Sequence, residues 1–314
     1  MTPAEMTLWA QVMRRAASLT PELAMRILAA FATLRDKLTD AELQRAVDLG
    51  YINQIVDQIV TEARFQAAMQ PVRDAMRRSI IQSVATYARA LPVPPQQARE
   101  LVVAFDYLSP DVIAAIRTLE TRVMTSLKDD ARETVRAFVE QGLRDGVNPR
   151  EIARGIRSVI GLGPSQLQEV ENFRDALLGR NGRSVADYTA RNRTVDRLLA
   201  KGKLTDAQVE RYVDLYRKKR IALNAETVAR TAALDAQKAA QQLAWQQAVD
   251  KGIVDGHRLR KQWIGVMDSR ERPTHVAMEK ETAPWNQPYS NGQMVPGDTE
   301  YNCRCISRYY VAPA

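Results

Sequence analysis

The chain has 314 residues, and 45 Lys+Arg against 37 Asp+Glu give it a formal charge of +8. At 45% hydrophobic it can bury a core, which excludes wholesale disorder. Two cysteines exclude a disulfide framework and fit synthesis in a reducing cytoplasm.

At about 150 residues per domain the length suggests roughly two domains. Only 6% of residues are aromatic, while Ala, Leu, Arg, Gln and Glu abound, which favours helices. The expected fold is mainly α: an elongated multi-helix body with a small C-terminal α+β module. The expected division is 1–108, an N-terminal helical region of unknown role; 109–254, a helical body; and 255–314, the module. No apolar run approaches the roughly 18–20 residues a bilayer requires. The start, Met1-Thr-Pro-Ala-Glu-Met-Thr-Leu-Trp9, lacks the pattern of a secretory signal.

Helix signals follow one another from the first residue. Thr2-Pro-Ala-Glu5 reads as a capping box with proline at the first helical position. Thr20-Pro21 reads as a restart, Thr39-Asp-Ala-Glu42 as a second capping box, and Gly50 as a C′ stop. Ile52, Ile55, Val56, Ile59 and Val60 recur at helical spacing. Pro71 is expected to kink or break that helix, and "LPVPP" (Leu91–Pro95) to end the one after it. Ser109-Pro110-Asp111 opens a long helix whose stripe runs from Val112 to Leu143, with Asp145-Gly146 as its close. Asn148-Pro149 caps the next, and "GLGPS" (Gly161–Ser165) is a break. Thr205-Asp-Ala-Gln208 caps a helix entering "RKKR" (Arg217–Arg220), and a further Ala-rich helix is expected from about Ala222 to Val249.

After Gly252 the helical period disappears. "RLRKQWIGVM" (Arg258–Met267) and "ISRYYV" (Ile306–Val311) read as strands. Thr282–Asp298 reads as loop with turns at Asn291-Gly292 and Pro296-Gly297.

Charge is unevenly spread. Residues 174–220 hold 13 Lys+Arg against 6 Asp+Glu, a net of +7, whereas 255–314 hold 8 against 7. Two readings of the basic stretch stay open: a footprint for nucleic acid or an acidic partner, with Arg217, Lys218, Lys219 and Arg220 as contacts, or a solvated helix surface.

Both cysteines stand in "YNCRC" near the end. In an extended segment Cys303 and Cys305 face the same side, and a disulfide across one residue would be strained. Two thiolates on one face could chelate zinc with His275, and Asp268 or Asp298 could supply the fourth ligand. The plainer reading is two small reduced thiols packing a strand. No G-x-G-x-x-G, G-x-x-x-x-G-K-[ST], H-E-x-x-H or G-x-S-x-G occurs. A thiol–His275 dyad lacks an evident orienting group. Glu279-Lys-Glu281 could pass for the paired glutamates of an ADP-ribosyl transferase, but the serine-rich strand such enzymes carry is missing. The expectation is therefore no catalytic residue and no bound cofactor. Asp268, Arg270, Arg272, Asn302 and Arg304 instead read as loop-pinning groups, with Trp263, Trp285, Tyr289, Tyr309 and Tyr310 supplying buried area.

The order Trp263, Asp268-x-Arg270-x-Arg272-x-x-His275, Pro296-Gly297-Asp298, Asn302-Cys303-Arg304-Cys305 resembles the C-terminal domain of phage Mu F-like minor head proteins, the phage head morphogenesis domain. Some relatives carry cysteines where Arg272 and His275 stand; this chain departs by lacking the first of those cysteines. Its upstream helices resemble the family more loosely, with Ala232 after Arg230-Thr231 where the family shows glutamate. The resemblance covers about residues 110–314. It implies a minor structural protein of a tailed-phage head, present in few copies in the virion near the portal vertex and in host cytoplasm during assembly. It implies portal and other head proteins as partners, and non-specific contact with packaged double-stranded DNA, with no role for a membrane. The alternative is an enzyme or toxin delivered with the genome.

Overall fold

The computed structural model describes residues 1–48, 51–298, 300 and 302–313. It is 67% helical, with a small three-stranded antiparallel sheet near the C-terminus, so the chain is mainly α with a small α+β module. The sites named for Gly50 as a helix stop lie outside the described residues.

The caps read from the sequence form. Thr2 N–H donates to Glu5 Oε2 at 2.7 Å, Thr39 N–H to Glu42 Oε2 at 2.9 Å, and Thr205 N–H to Gln208 Oε1 at 2.9 Å. Each occupies a backbone donor that the first helical turn would leave without a partner. They start α1 (Pro3–Asp36), α2 (Asp40–Asp48) and, after several intervening helices, α10 (Asp206–Asp250). Between them lie α3 (Ile52–Ile59), α4 (Glu62–Arg89), α5 (Pro95–Val103), α6 (Pro110–Arg144), α7 (Pro149–Val159), α8 (Pro164–Leu177) and α9 (Thr194–Leu199).

Three expectations are corrected. Pro21 and Pro71 lie inside continuous helices, α1 and α4, and start or break neither. A proline removes one helical hydrogen bond. The flanking apolar stripes (Ala16, Leu23 and Ile27; Ala68, Val72 and Met76) are buried, and that packing holds the helix through the gap. The expected break near Ala222 does not occur, and α10 runs 45 residues without interruption. Finally, α1 does contain a window of mean hydropathy 1.2, long and apolar enough by composition to cross a membrane. In the fold 28% of that window is buried; Val12, Leu23, Ile27 and Phe31 of α1 pack into protein, while Met6 and Met25 are exposed.

Chain contacts divide the protein into two units that are not sequential. The first comprises Met1–Ala24, Val72–Val123 and Thr227–Ala314; the second comprises Met25–Pro71 and Met124–Glu226. The three-way sequential division and this one cut the chain differently, because α1, α4, α6 and α10 each contribute residues to both units.

Within the second unit, Asn224 Nδ2 donates to the Gly161 carbonyl at 3.0 Å and Thr134 Oγ1 to that of Leu162 at 2.9 Å. These bonds occupy the carbonyls freed at the break between α7 and α8.

Within the first unit, β1 (Leu259–Ile264) is the central strand. It pairs antiparallel with β2 (Thr282–Pro284) on one side and β3 (Ile306–Val311) on the other, with Ile264 opposite Ile306 and Leu259 opposite Val311. β2 falls in the stretch expected to be loop. It is three residues long, too short for a period-two pattern to show. Alternation along β1 turns Leu259, Lys261 and Trp263 inward. Lys261 is fully buried; its amine donates to the Met294 carbonyl at 2.6 Å and lies 4.7 Å from the Tyr289 ring centroid. A short helix, α11 (Pro273–Val276), crosses between β1 and β2.

Candidate functional site

The site is built on the stretch after β1, α11, and the extended segment before β3. Met267 takes a left-handed backbone conformation (φ 59°) and turns the chain toward α11. Glu271 stands just before α11 and His275 within it, and the extended Arg272 between Glu271 and the helix leaves both side chains turned inward. Their side chains are 4% and 1% exposed, with His275 Nδ1 3.5 Å from Glu271 Oε1. Glu271 is anchored through its other oxygen, which accepts the Val266 N–H at 3.2 Å. The His275 ring meets Trp263 edge-on, with centroids 5.3 Å apart.

Asn302, also left-handed (φ 57°), delivers the cysteine segment, and its N–H donates to Thr231 Oγ1 at 3.1 Å. Gly297 is required opposite it. Its φ is +79°, and a Cβ there would stand 2.3 Å from that of Cys303. Both cysteines are buried and reduced. As extended geometry predicts, they face the same side, with their sulfurs 3.7 Å (Cys303) and 3.6 Å (Cys305) from His275 Nδ1. Cys305 donates to Glu271 Oε1 at 3.0 Å. Its hydrogen bond with Cys305, together with Lys238 and His275, lowers the Cys303 pKa against the cost of burial. Cys305 is pushed up by Cys303, by burial and by Glu271.

The sequence places Asp268 or Asp298 as a fourth donor, and neither stands there. Asp268 receives both arms of Arg304, at 2.7 and 2.6 Å, and this fork holds its carboxyl well below the usual range. Asp298 turns to its own loop, accepting the Met294 N–H at 2.8 Å. Glu271 occupies the position instead. Its spacing from His275 was the available signal, but the direction of the turn depends on Met267.

The other motif residues hold the surrounding loops. Arg272 Nη1 lies 3.0 Å from Glu300 Oε2, while Arg270 reaches back to Asp268 at 3.4 Å and is largely exposed. Gly297 N–H donates to Gln293 Oε1 at 2.7 Å. Buried Lys238, from α10, donates to the carbonyls of Pro296 (2.7 Å) and Cys303 (3.2 Å). Arg122, from α6, bonds both Asp235 and the Asp298 carbonyl. Trp9 Nε1, from α1, donates to the Arg304 carbonyl at 3.0 Å. Sequence reasoning did not identify Trp9, Arg122 or Lys238, because their partners lie up to 295 residues away.

The two glutamates of Glu279-Lys-Glu281 are also used as loop anchors. Glu279 accepts the Gly265 N–H at 2.5 Å, and Glu281 accepts the Ser290 N–H at 2.7 Å.

The "RKKR" residues divide. Arg220 pairs with Glu169 at 2.7 Å, and Arg217 is only 14% exposed beside Asp214. The Nε atoms of both are buried. They follow the inward stripe of Val209, Val213 and Tyr216. Lys218 pairs with Asp214 at 2.7 Å from the surface, and Lys219 is exposed. Exposed charge of the basic stretch instead gathers upstream, at Arg180, Arg183, Arg193, Arg197, Lys201 and Lys203.

No family model, curated protein or solved structure matches the chain.

Proposed function

We propose that this chain is a minor structural protein of a tailed-phage head, acting in head assembly at or near the portal. The observation that carries the reading is the use of the motif side chains. Asp268 and Arg304 bond each other, Asp298 bonds its own loop, and Trp263 and His275 pack together inside. Backbone carbonyls of the same segment receive Trp9, Arg122 and Lys238 from three long helices. Polar groups spent on one another in this way serve rigidity, which a load-carrying joint needs. The likeness of the motif to phage head morphogenesis domains supplies the setting.

Contact with packaged DNA is the second part of the proposal. It rests on the exposed arginines and lysines of residues 180–203 more than on the RKKR run. Such contact is read through phosphates, without sequence preference, and weakens steeply with salt.

The test is to disrupt the gene in a phage or prophage that carries it, then to purify and image the heads. The expected result is that the wild-type chain co-purifies with heads in few copies, and that heads lacking it are malformed or poor in DNA. Normal, filled heads together with absence of the chain from purified particles would overturn the reading.

A further inference from the structure

We propose that Cys303, Cys305, His275 and Glu271 form a tetrahedral site for a zinc ion that ties the α11 turn to the segment leading into β3. Four-coordinate zinc holds thiolates at about 2.3 Å and nitrogen or oxygen at about 2.0–2.2 Å. Tetrahedral angles then set the distances between donors: about 3.5–3.6 Å for sulfur to nitrogen and about 3.3–3.5 Å for nitrogen to oxygen. The observed separations are 3.7 and 3.6 Å from the sulfurs to His275 Nδ1, and 3.5 Å from that nitrogen to Glu271 Oε1. The sulfur atoms and the imidazole nitrogen all fall within 4.8 Å of one another. The Cys305–Glu271 contact, at 3.0 Å, is shorter than the tetrahedral edge. It is a thiol–carboxylate hydrogen bond, which the ion replaces. On binding, the S–H bond of each protonated thiol breaks, the proton leaves to solvent and the sulfur lone pair binds zinc.

The surroundings favour a cation over plain packing. A carboxylate with only 4% of its side chain exposed costs free energy unless a cation or donor faces it. Glu271 points one oxygen at the Cys305 thiol and the His275 imidazole and fastens the other to a backbone N–H. Two thiolates, one carboxylate and a neutral imidazole carry three negative charges; zinc leaves one. Lys238, 3% exposed and bonded to the Cys303 carbonyl, lies beside that remainder. The ring nitrogen of His275 that faces away, Nε2, is buried and lies 3.1 Å from Glu300 Oε2 without the alignment of a hydrogen bond. A small ring rotation on metal binding makes it the carboxylate-supported imidazole common at zinc sites.

This site is independent of the phage reading, since the metal can be counted in the purified full-length chain. The experiment is elemental analysis of that chain, followed by chelation and reloading with zinc or with Co(II) as a spectroscopic probe. The expected result is about one zinc per chain, with Co(II) giving the intense visible absorption of a tetrahedral thiolate site. Glu271→Gln should weaken affinity for zinc about tenfold or more, while Asp268→Asn should retain one zinc at saturation. Should Cys303→Ser or Cys305→Ser fail to fold, the wild-type Co(II) spectrum still decides. A folded chain with negligible zinc and no cobalt–thiolate band overturns the proposal. Loss of zinc at saturation in Asp268→Asn, but not in Glu271→Gln, overturns the ligand assignment.

Discussion

The C-terminal module and the basic stretch of residues 174–220 are both dense in charge, yet they use it in opposite ways. In the module 8 cations meet 7 anions, and side chains bond across its loops, Arg304 to Asp268 and Arg272 to Glu300, while Lys280 reaches Glu5 of α1. In the basic stretch 13 cations meet 6 anions, and residues such as Arg180, Arg183, Lys201 and Lys203 face solvent. Matched charge at short range holds a fold together, whereas unmatched exposed charge acts on something outside it. The difference teaches that the two regions should fail differently when altered: the first by losing stability, the second by losing a partner.

The largest effect should come from the module's core. Trp263 is fully buried against His275 and Tyr289. Trp263→Ala should cost about 3–5 kcal/mol in chemical denaturation. A loss below about 1 kcal/mol would break the comparison, since the module would then not rest on its interior.

A smaller effect tests the charge network. Glu5 is buried beside Lys280 and Arg308. Burial opposes its charge, but the Lys280 and Thr2 bonds outweigh that and hold its pKa at about 2 against an ordinary 4.5. A lowered folded pKa gives stability that is present above about 4.5 and lost as pH falls toward about 2. Glu5→Gln should cost about 1–2 kcal/mol at neutral pH and remove that part of the acid dependence. Equal acid profiles for the variant and the wild type would show that the pair contributes nothing.

Smaller again is the contrast inside RKKR. Arg217→Ala should cost about 1–2 kcal/mol through lost packing, while Lys219→Ala should stay within about 0.5 kcal/mol. Equal thermal shifts for the two would remove the inward–outward distinction.

The last prediction leaves stability almost untouched. Neutralising Arg180, Arg183, Lys201 and Lys203 together should weaken DNA binding and reduce the slope of log affinity against log salt by about 0.9 for each phosphate contact removed. Binding at low salt that is unchanged by this variant would separate the basic stretch from any role with DNA.

Much of the fold was legible in the sequence because its signals are local. Capping boxes at Thr2, Thr39 and Thr205 need only three-residue spacing, and β3 begins and ends where the Ile306–Val311 pattern does. The cysteines' shared face follows from extended geometry alone. What could not be read depends on distant partners. Pro21 looked like a helix start and Pro71 like a breaker because burial on both sides of them is a tertiary fact. Asp268 looked like a ligand because nothing local announces that Arg304 takes both its oxygens. Glu271 was missed because the turn at Met267 decides where it points. Arg217 and Arg220 were grouped with Lys218 and Lys219 by adjacency, although a helix separates neighbours by about 100°.

The central claim is that the module's polar residues are spent on holding it together and fastening it to α1, α6 and α10. Native-state hydrogen exchange on the full-length chain tests this most directly. The account predicts that amides of β1, β3 and the Thr227–Ala248 part of α10 exchange together in one slow class. Early exchange of β1 and β3, with that part of α10 still protected, would contradict it.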